Sequence, residues 1–95
     1  MKVGELLELV EKGIGKLTIK LVDVQNRVFE SPHTAWEFNQ RSLELQGDLD
    51  KLKKIKAFLE RYDKDEIVEK IFTKEELEKL LAFLCYAAEA DVYEP

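Results

Sequence analysis

Phe38, Leu45, Leu52 and Leu59 recur every seven residues along the middle of the chain. Seven residues are close to two turns of α-helix, so the four side chains fall along one line. The repeat passes through Gly47 without changing register, and a single glycine is a weak breaker. The pattern therefore predicts one long helix over 34–62, with Gly47 as the place where it would bend. Such a helix is roughly 43 Å long at the usual rise per residue. A compact domain of this chain length has a radius of gyration of about 12–13 Å, so the helix would overhang its own body. An overhanging helix with an apolar line needs a cover, and a homodimer is the expected one. With the four residues at heptad position a, position d holds Arg41, Asp48, Ile55 and Tyr62. Charges at Arg41 and Asp48 disfavour a parallel seam, whereas an antiparallel twin sets Arg41 of one copy near Asp48 of the other. Trp36, two residues from Phe38, points in a different direction and is hard to bury in so small a monomer. The expected interface is thus Trp36, Phe38, Arg41, Leu45, Asp48, Leu52 and Leu59.

On either side the periodicity suggests a single α+β domain over 1–95, mainly helical. Val3, Leu6, Leu7 and Val10 have helical spacing with Glu5, Glu8 and Glu11 opposite, predicting a helix over 2–12 closed by Gly13. From Leu17 the period looks like two, and β-branched residues are dense. With a tight return at Gln25–Asn26, residues 17–30 read as a β-hairpin. Three pairs have capping-box spacing: Thr34 with Glu37, Asp63 with Glu66, and Thr73 with Glu76. The first opens the long helix, the second a short helix over 64–72, the third a helix over 74–89. The expected architecture is a small bundle packed on a hairpin.

Acids outnumber bases by 20 to 15, which handicaps general binding to a phosphate backbone. Cys85 is the only cysteine, so no internal disulfide or cysteine-based zinc cluster forms. No run approaches the roughly 18 apolar residues of a membrane span, and the first residues lack the apolar core of a signal peptide. A cytoplasmic setting without membrane contact is the expectation.

The chemistry-bearing residues are sparse. His33, the only histidine, has no second histidine to converge with on a metal or a nucleophile. Cys85 lies in the apolar stretch Phe83-Leu84-Cys85-Tyr86 and reads as a small core residue. Carboxylates three apart, as in Glu5, Glu8 and Glu11 or Glu66 and Glu69, share a helix face. Helical nucleotide pyrophosphatases hold magnesium with such pairs. Here Glu89 and Asp91, two apart, fall on different faces, and the Glu5 series faces away from Leu6 and Val10. Lys51, Lys53, Lys54 and Lys56 form the one basic cluster, interleaved by acids. Gly13-Ile14-Gly15-Lys16 reads as a connector, since a phosphate-binding loop runs from strand to helix. No catalytic residue, metal or cofactor is indicated.

The opening Met1-Lys2-Val3-Gly4-Glu5-Leu6-Leu7, with Ile19-Lys20-Leu21-Val22-Asp23 and the return at Gln25–Asn26, resembles the start of small uncharacterised accessory proteins of phages and other mobile elements. The resemblance covers about the first thirty residues and carries over no functional residues. It implies an interaction module or an inhibitor. The functional expectation is a small acidic protein–protein interaction module, a homodimer that regulates or inhibits a basic host or phage protein. The alternatives are a helical metal-dependent nucleotide hydrolase and a weak nucleic-acid binder using Lys51–Lys56.

Overall fold

The computed structural model describes residues 1–30 and 35–89. Their secondary structure is α1 (Val3–Glu30), α2 (Ala35–Leu59), a single 3₁₀ turn (Val68–Lys70) and α3 (Lys74–Glu89). The domain is all-α. The expected β-hairpin over 17–30 does not form: those residues continue α1, and the only bridge among the described residues joins Lys2 to Ile67. The short helix expected over 64–72 is reduced to the one 3₁₀ turn. Thr34 and its capping box with Glu37, and His33, lie outside the described residues.

The reason α1 stays helical is a second seven-residue line. Val3, Val10, Leu17 and Val24 match the spacing of Phe38, Leu45, Leu52 and Leu59, and all four are buried. The β-branched residues of 18–24 each cost a helix only a few tenths of a kcal/mol. Burying a leucine or valine contributes roughly 1.5–3 kcal/mol, so packing decides. Thr18 fits the helix by donating its hydroxyl to the Ile14 carbonyl at 2.7 Å. Gly13 does not stop the helix, and no glycine has positive φ. A Cβ at Gly13 would lie 3.2 Å from Leu52 Cδ1, 3.4 Å from Ala87 Cβ and 3.8 Å from Leu84 Cδ2. The absent side chain is what lets all three helices approach at this point.

The two long helices are antiparallel. Near one end Glu11 pairs with Lys56 at 3.7 Å, while farther along Val24 and Phe38 line one groove. α2 runs unbroken through Gly47. The α1–α2 hairpin has a base, where the start of α1 meets the segment 60–73, and a tip, where α1 ends at Glu30 and α2 begins at Ala35. At the base the first free N–H groups of α1 are satisfied by backbone: Val3 N donates to Glu66 O at 2.8 Å and Gly4 N to Lys64 O at 3.0 Å. Val68 N donates back to Met1 O at 3.0 Å. These bonds tie the turn at 64–66 and the extended Ile67 to the start of α1, which is why that segment is not an α-helix. Phe58 contacts both Tyr62 and Phe72, with ring centroids 5.3 and 5.6 Å apart.

α3 starts at the base with a complete capping box. Thr73 N donates to Glu76 Oε1 at 2.8 Å and Glu76 N to Thr73 Oγ1 at 3.1 Å. The helix then climbs beside α1, placing Leu84 and Ala87 at Gly13. That orientation turns Cys85 outward, so the thiol is exposed rather than in the core. α3 is described over 16 residues against 28 in α1, so among the described residues only α1 and α2 form the tip. The molecule is correspondingly elongated, 49 × 20 × 18 Å with a radius of gyration of 15.4 Å.

Candidate interaction surface

The residues expected at an interface separate by burial. Leu45, Leu52 and Leu59 are fully buried in the core that α2 makes with α1. The line that called for a cover finds it in α1 of the same chain, because 13–30 is helix and long enough to run beside it. Phe38 is half-buried and lines a shallow groove near the tip with Lys20, Asp23, Val24, Arg27, Glu37 and Arg41. Arg41 bonds Glu44 at 3.2 Å. Partial burial disfavours the Arg41 guanidinium, but its hydrogen bonds to Tyr86 and Glu44 outweigh this and hold its pKa above the ordinary value. Asp48 is half-buried. Trp36 alone of the set is strongly exposed, at 72%.

The other sequence candidates disperse. Lys51 sits over the Phe83 ring, Nζ 4.9 Å from its centroid, on the α3 side. Lys56 pairs with Glu11 on the opposite side of the hairpin, and Lys53 and Lys54 are exposed. The basic cluster is thus split between faces instead of forming one stripe. Among the described residues no three histidine, cysteine, aspartate or glutamate side chains are grouped to hold a metal ion. No described helix is long and apolar enough to cross a membrane.

The acids collect at the base. Asp63, Asp65, Glu66 and Glu69 lie between α2 and α3, Glu75, Glu76 and Glu78 in the first turns of α3, and all are exposed. Glu76 is held by the Thr73 amide first and the Thr73 hydroxyl arm second, which keeps its carboxyl below the ordinary range. Glu69 accepts hydrogen bonds from the Met1 amino group at 3.1 Å, which lowers its pKa as well. Asp65 is 3.9 Å from Lys2, too long and too exposed to neutralise it effectively. On the neighbouring flank Glu5, Glu8, Glu11, Glu60 and Asp65 line a cleft of about 580 Å³ with Lys2 and Lys64.

The tip differs. α3 packs on the side of the hairpin that carries Gly13 and Lys51. The back of the hairpin, marked at the base by the Glu11–Lys56 pair, has no third helix among the described residues. On α1 the outward positions from mid-helix are Gly15, Thr18, Ile19, Val22, Gln25 and Asn26. On α2 they are Trp36, Asn39, Gln40, Leu43, Gln46 and Gly47. All twelve are exposed and none is charged. Nearer the base Glu8 and Glu11 stand on the same side of α1, and Asp50, Lys53 and Lys54 on the same side of α2, while on the tip half of α1 Asp23 holds the helical position of Glu5 and pairs with Arg27 at 3.2 Å. Sequence reasoning singled out Trp36 but missed Leu43, Ile19 and Val22. Compared with protein-family models, with curated proteins and with solved structures, the chain gives no match.

Proposed function

We propose that this chain is a small acidic interaction module that works by protein–protein contact. It acts as a self-associating regulatory or inhibitory accessory protein of a phage or other mobile element, and its partner is a basic, nucleic-acid-binding protein. The observation that carries the reading is the gathering of exposed acids at the base, on the segment 63–69 and the start of α3. A cluster of one sign steers an oppositely charged partner into contact and raises its on-rate. Exposed charges are screened over about 8 Å at physiological ionic strength, so the capture is salt-sensitive. Glu76 serves its own helix cap and Glu69 holds the Met1 amino group, which leaves Asp63, Asp65, Glu66, Glu75 and Glu78 as the acids offered outward.

The test is retrieval of the basic partner from the protein's own cells, with the wild type and with a variant carrying Asp65→Asn, Glu66→Gln, Glu75→Gln and Glu78→Gln. The expected result is capture at low salt, loss at high salt and loss in the neutralised variant. Undiminished capture of the same partner by that variant removes the acidic end from the mechanism.

A further inference from the structure

We propose that the groove near the tip, walled by Lys20, Val24 and Arg27 of α1 and by Phe38 and Arg41 of α2, is the docking site of the chain's own residues 90–95. That segment, Ala90-Asp91-Val92-Tyr93-Glu94-Pro95, lies outside the described residues. The inference goes beyond the proposed function and does not rest on it. α3 packs on the side of the hairpin that carries Gly13, with Leu84 and Ala87 against that glycine. Between those two residues, Tyr86 hydrogen-bonds Arg41, and Arg41 belongs to the groove wall. The groove therefore continues the track of α3 towards the tip. α3 ends at Glu89, so the residues that follow are delivered to the mouth of the groove.

Reach and spacing agree with this placement. With Ala87 at the level of Gly13, Lys20 lies about 10 Å farther along α1 and Arg27 about 21 Å. Glu89 has already covered about 3 Å of that distance, and six extended residues span about 20 Å. Asp91 and Glu94 are about 10 Å apart on an extended chain. Lys20 and Arg27, seven residues apart on one side of α1, are separated by about the same length.

Charge and apolarity follow the same order. Lys20 is half-buried and makes no ion pair among the described residues, and a nearby carboxylate favours its charged form. Arg27 pairs with Asp23 and Arg41 with Glu44, each at 3.2 Å. A guanidinium carries five N–H donors, so each arginine can take a second carboxylate. The wall acid Glu37 stands in the first turn of α2, at the tip end, where the segment brings Pro95 and not an acid. Between the cations lie buried Val24 and half-buried Phe38, an apolar floor for Val92 and Tyr93. The segment thus reads acid, two apolar residues, acid, and the groove reads cation, apolar floor, cation. Single ion pairs at such a surface are weak. A short tether, however, supplies an effective concentration in the millimolar range, which favours this segment over a second copy or a free acidic peptide.

The test is NMR spectroscopy of the full chain at low salt and at two protein concentrations. The expected result is a set of nuclear Overhauser contacts from the Phe38 ring to Val92 and Tyr93, equal at both concentrations. A variant with Asp91→Lys and Glu94→Lys changes only the docking segment and keeps the helical circular dichroism. It is expected to lose those contacts and to move the amide signals of Lys20, Val24 and Arg27. Absence of the contacts in the wild type overturns the proposal, as does their survival of the charge reversal. Signals that move only beside the altered residues, with those of the groove unchanged, overturn it too. Contacts that strengthen with concentration come from the segment of a second copy and overturn docking within one chain.

Discussion

Replacing Gly15 and Gly13 separately by alanine tests how α1 is built. Both glycines are helical with φ below zero, so alanine gains about 1 kcal/mol of helix propensity at either position. At Gly15 nothing lies within 4 Å of the added Cβ. The full gain is therefore expected, raising Tm by about 4–8 °C for a domain of this size. At Gly13 the added methyl meets Leu52 Cδ1 at 3.2 Å and Ala87 Cβ at 3.4 Å. The leucine tip can rotate by a few tenths of an ångström, but the Ala87 methyl is fixed to the backbone of α3, so that helix must shift. Overpacking of this kind costs about 1–3 kcal/mol. The net change at Gly13 thus runs from about zero to about 2 kcal/mol destabilising, and the two variants differ by about 1–3 kcal/mol. Urea unfolding followed by far-UV circular dichroism, at protein concentrations low enough to exclude association, measures both. If Gly15→Ala destabilises, as it must where glycine occupies a left-handed turn ahead of a hairpin, the continuous α1 would be refuted. Equal effects at the two positions would refute the three-helix contact at Gly13.

Leu52→Ala removes a fully buried side chain where α1 and α2 meet, and a loss of about 2–5 kcal/mol is expected in the same urea assay; a change within about 0.5 kcal/mol, typical of surface sites, would place Leu52 outside the core. Thr73→Ala deletes the hydroxyl arm of the α3 cap and lowers stability by about 1 kcal/mol, with a reduced urea midpoint as the readout. The Glu76 arm gives a pH dependence whose sign follows from its depressed folded-state pKa. Its contribution is present above the ordinary carboxylate value and is lost as pH falls through the depressed one. Glu76→Gln should therefore flatten the acid limb of the stability curve, and an unchanged limb would remove the charged cap from the account.

Much of α2 and α3 was legible because local and tertiary signals agree there. The line Phe38, Leu45, Leu52, Leu59 lies on one unbroken helix, and Thr73 with Glu76 opens α3 through both arms of the expected box. α1 was misread because the local signals oppose the outcome. Two glycines and a dense set of β-branched residues lower helix propensity over 13–24, while the line Val3, Val10, Leu17, Val24 favours helix only when a matching line exists to bury it. For the same reason the apolar line of α2 looked like a surface in need of a partner chain. Its cover was read as a hairpin. The turn at Gln25–Asn26, which also contributed to the resemblance, is interior helix.

By itself, the sequence determined where charge and apolar side chains stand along each helix, because helical periodicity follows from residue spacing alone. The tertiary structure decided which of those side chains are interior. Gly13 admits α3 to one side of the hairpin, and the Glu66 and Lys64 carbonyls pin the base. Burial is a property of pairs of elements and not of either one alone, so only the packed molecule shows that Leu52 is core and Trp36 is surface.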